Sequence, residues 1–266
     1  MLFQVAFGLY LWAGAQISSD FFACSSTGAD TAYFQQKMDA LAAEVLKDLP
    51  SHEEKRIKTI HRRLFARYLR DYRQGSLLTD VLQHRQYDCL SGTIVFAYLL
   101  KKAGFQPVIY ETNVHIFLTT FLSDGREVLI ETTDPIGGVV TSQLQVAQRK
   151  EEYRRRFSSY QEREPGYYRS EFQIMRVVPF EELAGLQCFN QAVRAYNHGL
   201  FASAAEYLFK SQPLMATERG IELMILALKG ILATHSLSFE KQNALLKAMA
   251  AYEDKLKNFP RLAIEE

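Results

Sequence analysis

The stretch YDCLSGTIVFAYLLKKAG, residues 87–104, decides the fold. From Leu90 onward it is apolar nearly all round until Lys101 and Lys102. A surface helix shows a single apolar stripe, whereas a helix apolar on every side is buried. Leu90–Ala103 therefore predicts a helix at the centre of a domain, ended by Gly104. Cys89 stands where that helix begins. Orphan amides and the positive dipole end of a helix stabilise a thiolate, so Cys89 reads as a candidate nucleophile with a lowered pKa. A structural cysteine would sit more naturally inside the helix, among Ile94 to Leu100.

Three strand-like runs follow: Pro107–Thr112, Val114–Leu122 and Arg126–Thr133. Between the second and third, Ser123-Asp124-Gly125-Arg126 carries the Asp-Gly pair favoured in two-residue hairpin loops. If Asp124 and Gly125 form the loop, His115 and Asp134 become direct cross-strand partners, with Cβ atoms roughly 4.5–5.5 Å apart. A carboxylate there accepts the imidazole N–H, fixes its tautomer and stabilises the imidazolium. Taken singly, a strand histidine is a packed or surface residue and Asp134-Pro135 a turn. A helix-start cysteine with a histidine and an aspartate paired across a hairpin reads as a catalytic triad of Cys89, His115 and Asp134. Gln83, Gln86 and the backbone N–H of Cys89 are the candidate oxyanion donors.

Upstream of this core, Asp30–Leu49 reads as a helix with Phe34, Met38, Leu41, Val45 and Leu49 on one side, Asp30 as its cap and Pro50 as its stop. Ser51-His-Glu-Glu54 opens a second helix running to about Tyr72. Its apolar stripe is Ile57, Ile60, Leu64 and Tyr68, and its other side carries Lys55, Arg56, Lys58, Arg62, Arg63, Arg67 and Arg70. That basic side could hold an anion, but a solvated face is the plainer reading, because 31 Lys and Arg against 30 Asp and Glu leave the chain near neutral. The same balance gives no reason to expect nucleic acid as a partner. A short helix around Thr79–His84 leads into the core. Beyond it, residues 141–170 turn polar and charged, Phe172–Val178 could add a strand, and everything after Phe180 is helical. Gly199, Phe201, Ala204 and Leu208 fall where a tetratricopeptide repeat places its turn glycine, aromatic and small packing residues. One such repeat spans roughly 184–217, followed by helices at 219–235 and 239–258.

Met1–Ala15 carries no charge and ends in Ala-Gly-Ala, about the length of a signal-peptide core and short of the roughly 20 residues that span a bilayer. It reads as a possible signal peptide, giving export to the periplasm or envelope, with a cytoplasmic protein and lipidation at Cys24 as alternatives. No stable membrane span is expected. Three cysteines are too few for a disulfide-stapled mini-domain and include no CxxC pair, which argues against structural zinc. If Cys89 is catalytic, Cys24 and Cys188 remain, and export would permit a bond between them. His84 could line the cleft or lie on the surface. The remaining histidines have no metal-ligand spacing, and no Walker loop, GxGxxG, GxSxG or HExxH occurs. No metal and no organic cofactor is implied.

YDCLSG, VHIFL and LIETTDPIGG resemble the three motifs of the transglutaminase-like family, a circularly rearranged relative of the papain-like cysteine proteases. The tetratricopeptide-like region is similar to that of bacterial members coupling the two modules. The resemblance implies an α+β fold, a buried helix packed on an antiparallel sheet, with helical N-terminal and C-terminal regions. It divides the chain into residues 30–180, transglutaminase-like, and 181–266, helical. It implies Cys89 as nucleophile, His115 as general base and acid, and Asp134 as orienting carboxylate. The expected function is thiol-dependent amide hydrolysis or acyl transfer on a protein or peptide, peptidase or amidase ahead of crosslinking. The alternative is a catalytically silent scaffold that binds a protein partner through its helical C-terminal region.

Overall fold

The computed structural model describes residues 17–25, 30–113, 115–155, 168, 175–234 and 237–259. The possible signal peptide, much of the polar stretch 141–170 and the start of the expected strand at Phe172 lie outside these residues. Helix α1 (Thr31–Val45) is capped by the Asp30 side chain, which accepts from the Tyr33 N–H at 3.2 Å. It buries Phe34, Met38, Leu41 and Val45 of the expected side but ends before Leu49, which lies half-buried beyond it. Helix α2 (Glu53–Arg67) buries Ile57, Ile60, His61, Leu64 and Phe65. It stops short of the expected Tyr72, because the chain leaves it to form β1 (Asp71–Tyr72). β1 runs parallel to β2 (Gln86–Tyr87), which follows α3 (Leu78–His84).

The basic side of α2 is neither bare nor an anion site throughout. Arg63 donates to the carbonyls of Val45 and Lys47, and Arg56 to those of Pro50, Ser51 and Ala103. Arg63 on Val45 and Arg56 on Ala103 thus sit on carbonyls at the C-terminal ends of α1 and of the helix that ends at Lys102, where orphan acceptors and negative dipole ends favour cations.

The central helix is α4 (Cys89–Lys102), with every residue from Leu90 to Leu100 buried. After Gly104, in the left-handed region at φ 87°, come β3 (Pro107–Thr112), β4 (Ile116–Phe121), β5 (Glu127–Ile130) and β6 (Val139–Val140). Helix α5 (Gln143–Arg155) precedes β7 (Met175–Val178). The sheet is antiparallel in the order β6-β5-β4-β3-β7. Alternation along its strands makes two apolar faces. Ile109, Ile116, Leu118, Val128 and Ile130 join the main core with α4, whereas Phe117, Leu129 and Val140 form a second cluster with Val146 and Tyr153 of α5.

The β4–β5 hairpin departs from the expected register. Leu122 and Arg126 close a loop of three residues, Ser123 to Gly125, with Gly125 left-handed at φ 84°. A glycine in that conformation at the third loop position is the second common hairpin solution. Phe121 consequently faces Glu127 and Leu118 faces Ile130. The shift is one residue, so His115 and Asp134 are not opposed.

The C-terminal region consists of α6 (Glu182–Asn197), α7 (Phe201–Ser211), α8 (Glu218–Thr234) and α9 (Phe239–Lys257). Gly199, at φ 73°, makes the turn between α6 and α7, and Ala204 and Leu208 are buried as the repeat-like spacing predicts. Phe201 packs on Gly230 so closely that a Cβ there would lie 2.4 Å from its ring. The division at residue 180 is not a break in packing: Leu183, Ala184, Leu186 and Phe189 share one core with α4. Arg219 of α8 and Arg176 of β7 both pair with buried Glu111 of β3. A Cys24–Cys188 disulfide ties the N-terminal segment to α6 and leaves Cys24 no free thiol for a lipid. No helix among the described residues is long and apolar enough to cross a membrane.

Candidate active site

The motif 87–92 builds the start of α4 residue by residue. Tyr87 is buried on β2. Asp88 is the N-cap: its Oδ1 accepts the Ser91 N–H at 2.8 Å, while the Asp88 N–H donates to Ser91 Oγ at 2.9 Å, a reciprocal capping box. Gly75 N–H also donates to Asp88 Oδ2 at 3.1 Å. Gly92 lets the first turn approach the sheet, since a Cβ there would meet Thr132 at 3.3 Å. Thr132 Oγ1 donates to the Cys89 carbonyl at 3.3 Å.

Cys89 itself is half-buried and is the free cysteine of the chain. Its thiol is pushed up to about 12, first by burial and then by the charges of Asp88 and Glu131, against the Ile116 and Leu90 backbone amides that favour the thiolate. This reverses the lowered pKa expected from its position. At this helix start the Asp88 carboxyl takes the Ser91 and Leu90 amides, while burial pushes its own pKa up against them. Cys89 rests as a neutral thiol.

Its neighbours are the strand ends that carry the histidine and the carboxylate. His115 stands in the tight β3–β4 connection, where its carbonyl accepts from the Thr112 N–H at 2.8 Å and its N–H donates to Thr112 Oγ1 at 3.0 Å. Its ring Nε2 meets Glu131 Oε2 at 2.6 Å. Glu131, just beyond β5, is 4% exposed. Its Oε1 accepts from the Thr133 N–H at 3.0 Å and hydroxyl at 2.6 Å, and its Oε2 also accepts the Tyr153 hydroxyl at 2.6 Å. Burial alone would raise this carboxyl, but the His115 hydrogen bond and charge, with Thr133 and Tyr153, hold it at about 2.

Asp134 is not the histidine's partner. Its Oδ1 accepts the N–H groups of Ile136 at 3.0 Å and Gly137 at 2.8 Å, so it shapes the turn that brings Gly138 back to pair with Glu131. The structure thus pairs His115 with Glu131, three residues before the expected Asp134. A carboxylate ending the buried run Val128-Leu129-Ile130 was the signal in the sequence, and the assumed register hid it.

Gln83 is exposed on α3 and Gln86 half-buried on β2, while His84 is exposed. Tyr72 lies beside the site, its ring edge-on to that of Tyr87 with the centroids 5.5 Å apart. Its phenol is pushed up to about 12, chiefly by burial. His61 lies beneath the 131–138 loop rather than on the basic face of α2. A Cβ on Gly138 would fall 2.6 Å from its Nε2. Burial lowers its pKa, opposed by the Glu131 and Asp134 backbone carbonyls. No cluster of His, Cys, Asp and Glu among the described residues could hold a metal ion.

Compared with protein-family models, with curated proteins and with solved structures, the chain matches none.

Proposed function

We propose that the chain is a thiol-dependent amide hydrolase or acyltransferase of the transglutaminase-like, papain-related kind, with Cys89, His115 and Glu131 as its triad. The observation that carries this is the 2.6 Å bond from His115 Nε2 to a carboxylate saturated by four donors, beside a helix-start cysteine. With Nε2 engaged, Nδ1 is the ring nitrogen left for the thiol proton. Cys89 Sγ attacks an amide carbonyl as its proton passes to His115 Nδ1. The C–N bond then breaks, His115 returns the proton to the departing amine, and a thioester remains. Water adds to the thioester with His115 as base, releasing the acid and restoring the thiol. An amine acceptor in place of water gives transfer. The first-turn amide of Cys89, one of those without an intrahelical acceptor, is the oxyanion donor by position.

Because the resting thiol is neutral, deprotonation belongs to the attack and not to a preformed ion pair. The Cys24–Cys188 bridge supports an exported protein in an oxidising compartment. The experiment is amine release from a panel of peptide amides and glutamine peptides, with hydroxylamine as competing acceptor. Release lost in Cys89→Ala and His115→Ala supports the reading, and the share of hydroxamate separates transfer from hydrolysis. No Cys89-dependent release from any of them sinks it in favour of the scaffold.

A further inference from the structure

Tyr153 is one of only two buried residues on α5, a helix whose other side chains are half-buried or exposed. Its ring lies 4.5 Å from that of Phe117 and 5.2 Å from that of His115. A phenylalanine would serve that packing equally well. The hydroxyl instead donates to Glu131 Oε2, the oxygen that His115 Nε2 also meets, both at 2.6 Å. A carboxylate oxygen offers two lone-pair directions, so these two donors fill Oε2 while Thr133 fills Oε1. Glutamate also carries one side-chain torsion more than aspartate, and these donors remove that freedom.

We infer that Tyr153 is a positioning residue of the site: it locks the Glu131 carboxylate from α5 and shares with His115 the oxygen that aims and charges the imidazole. This rests on the Cys89–His115–Glu131 reading for its purpose, though not for its test. The phenol and the imidazole compete for the charge of one oxygen, so a change in the phenol's hydrogen bond is felt at the His115 ring. Arg149, on the same helix, donates to the phenol and sharpens its pull. The other titratable groups that sense Glu131 are Cys89, Tyr72, Tyr87 and, from α2 on the backbone side, His61.

The test is the NMR titration of the His115 ring in the full chain carrying Cys89→Ala, so that turnover plays no part. Tyr153→Phe should raise the midpoint by roughly half a pH unit or more, since the carboxylate then gives its charge to His115 alone. A fluorinated tyrosine at 153, a stronger donor of nearly the same shape, should lower it. That second variant keeps the ring and its packing if the phenylalanine chain fails to fold. Opposite shifts establish the role, because a merely structural tyrosine moves neither. A midpoint unchanged in the fluorinated protein, or moved the same way by both changes, overturns it. Shifts as expected in a chain without amide-cleaving activity would leave Tyr153 in place and remove the enzyme reading instead.

Discussion

Replacing Glu131 by Gln removes a charge while keeping the shape that Thr133, Tyr153 and His115 grip. The carboxyl is held at about 2 against its usual 4.5, a difference of roughly two and a half units. At 1.36 kcal/mol per unit this links to about 3 kcal/mol of folding stability. The group is 4% exposed, so solvent screening takes little from that figure. A depressed carboxyl contributes its stability above the unfolded value, and that contribution is lost as pH falls through the folded one. The window therefore runs from about pH 4.5 down to about pH 2. Urea titrations of wild type and Glu131→Gln at steps from pH 7 to pH 2 should show the wild type losing most of about 3 kcal/mol more than the variant, nearly all below pH 5. Asp134→Asn, run beside it, should follow the wild-type curve. Parallel curves for wild type and Glu131→Gln would refute the buried pair, and a divergence for Asp134→Asn instead would restore Asp134 as partner.

Asp88 should restrain the thiol: iodoacetamide alkylation of Cys89 in the wild type should be slow at pH 7 and still rising about tenfold per pH unit through pH 9. Asp88→Asn removes a carboxylate from beside the thiol and should speed alkylation several-fold at pH 8, at some cost in stability because the amide NH2 cannot accept the Gly75 N–H; a wild-type plateau near neutrality, or a slower variant, contradicts this. Cleaving the Cys24–Cys188 bond, which spans 164 residues, with a reductant should lower unfolding stability by about 2–5 kcal/mol in urea, and an unmoved midpoint would show that the bond constrains nothing. Gly138→Ala would place a Cβ 2.3 Å from the Asp134 carbonyl oxygen and 2.4 Å from that of Glu131, and should cost about 1–3 kcal/mol or more and broaden the His115 ring signal; a variant of wild-type stability would show the 131–138 loop to be looser than described.

Much of this was legible in the sequence because local rules act there without competition. An all-round apolar run can only be a buried helix, and Leu90–Leu100 is one. The Asp30 cap and the buried spacing of α1 follow from adjacent residues, as do the left-handed stops at Gly104 and Gly199. The carboxylate partner of His115 was not legible, since a single residue in the 123–125 loop decides which face every later side chain takes. Asp124-Gly125 suits a two-residue loop and a three-residue one alike, and only the flanking Leu122–Arg126 pair selects the second. The raised thiol was missed for another reason. Helix position argues for a thiolate, but burial and the Asp88 and Glu131 charges are three-dimensional quantities that outweigh it. Neither β1–β2 pairing nor Tyr153's reach to Glu131 leaves a local trace, because each joins segments more than a dozen residues apart.

The central claim is that Cys89 takes an acyl group with His115 as its base and Glu131 behind it. Its most direct test is to incubate the intact chain with an activated ester, quench in acid and locate the thioester by peptide mass spectrometry. The account predicts an acid-stable, hydroxylamine-labile acyl group on Cys89, absent in Cys89→Ala, lost in His115→Ala, much slowed in Glu131→Gln and retained in Asp134→Asn. An acyl group that forms at the same rate without His115, or that never forms on Cys89, would contradict it.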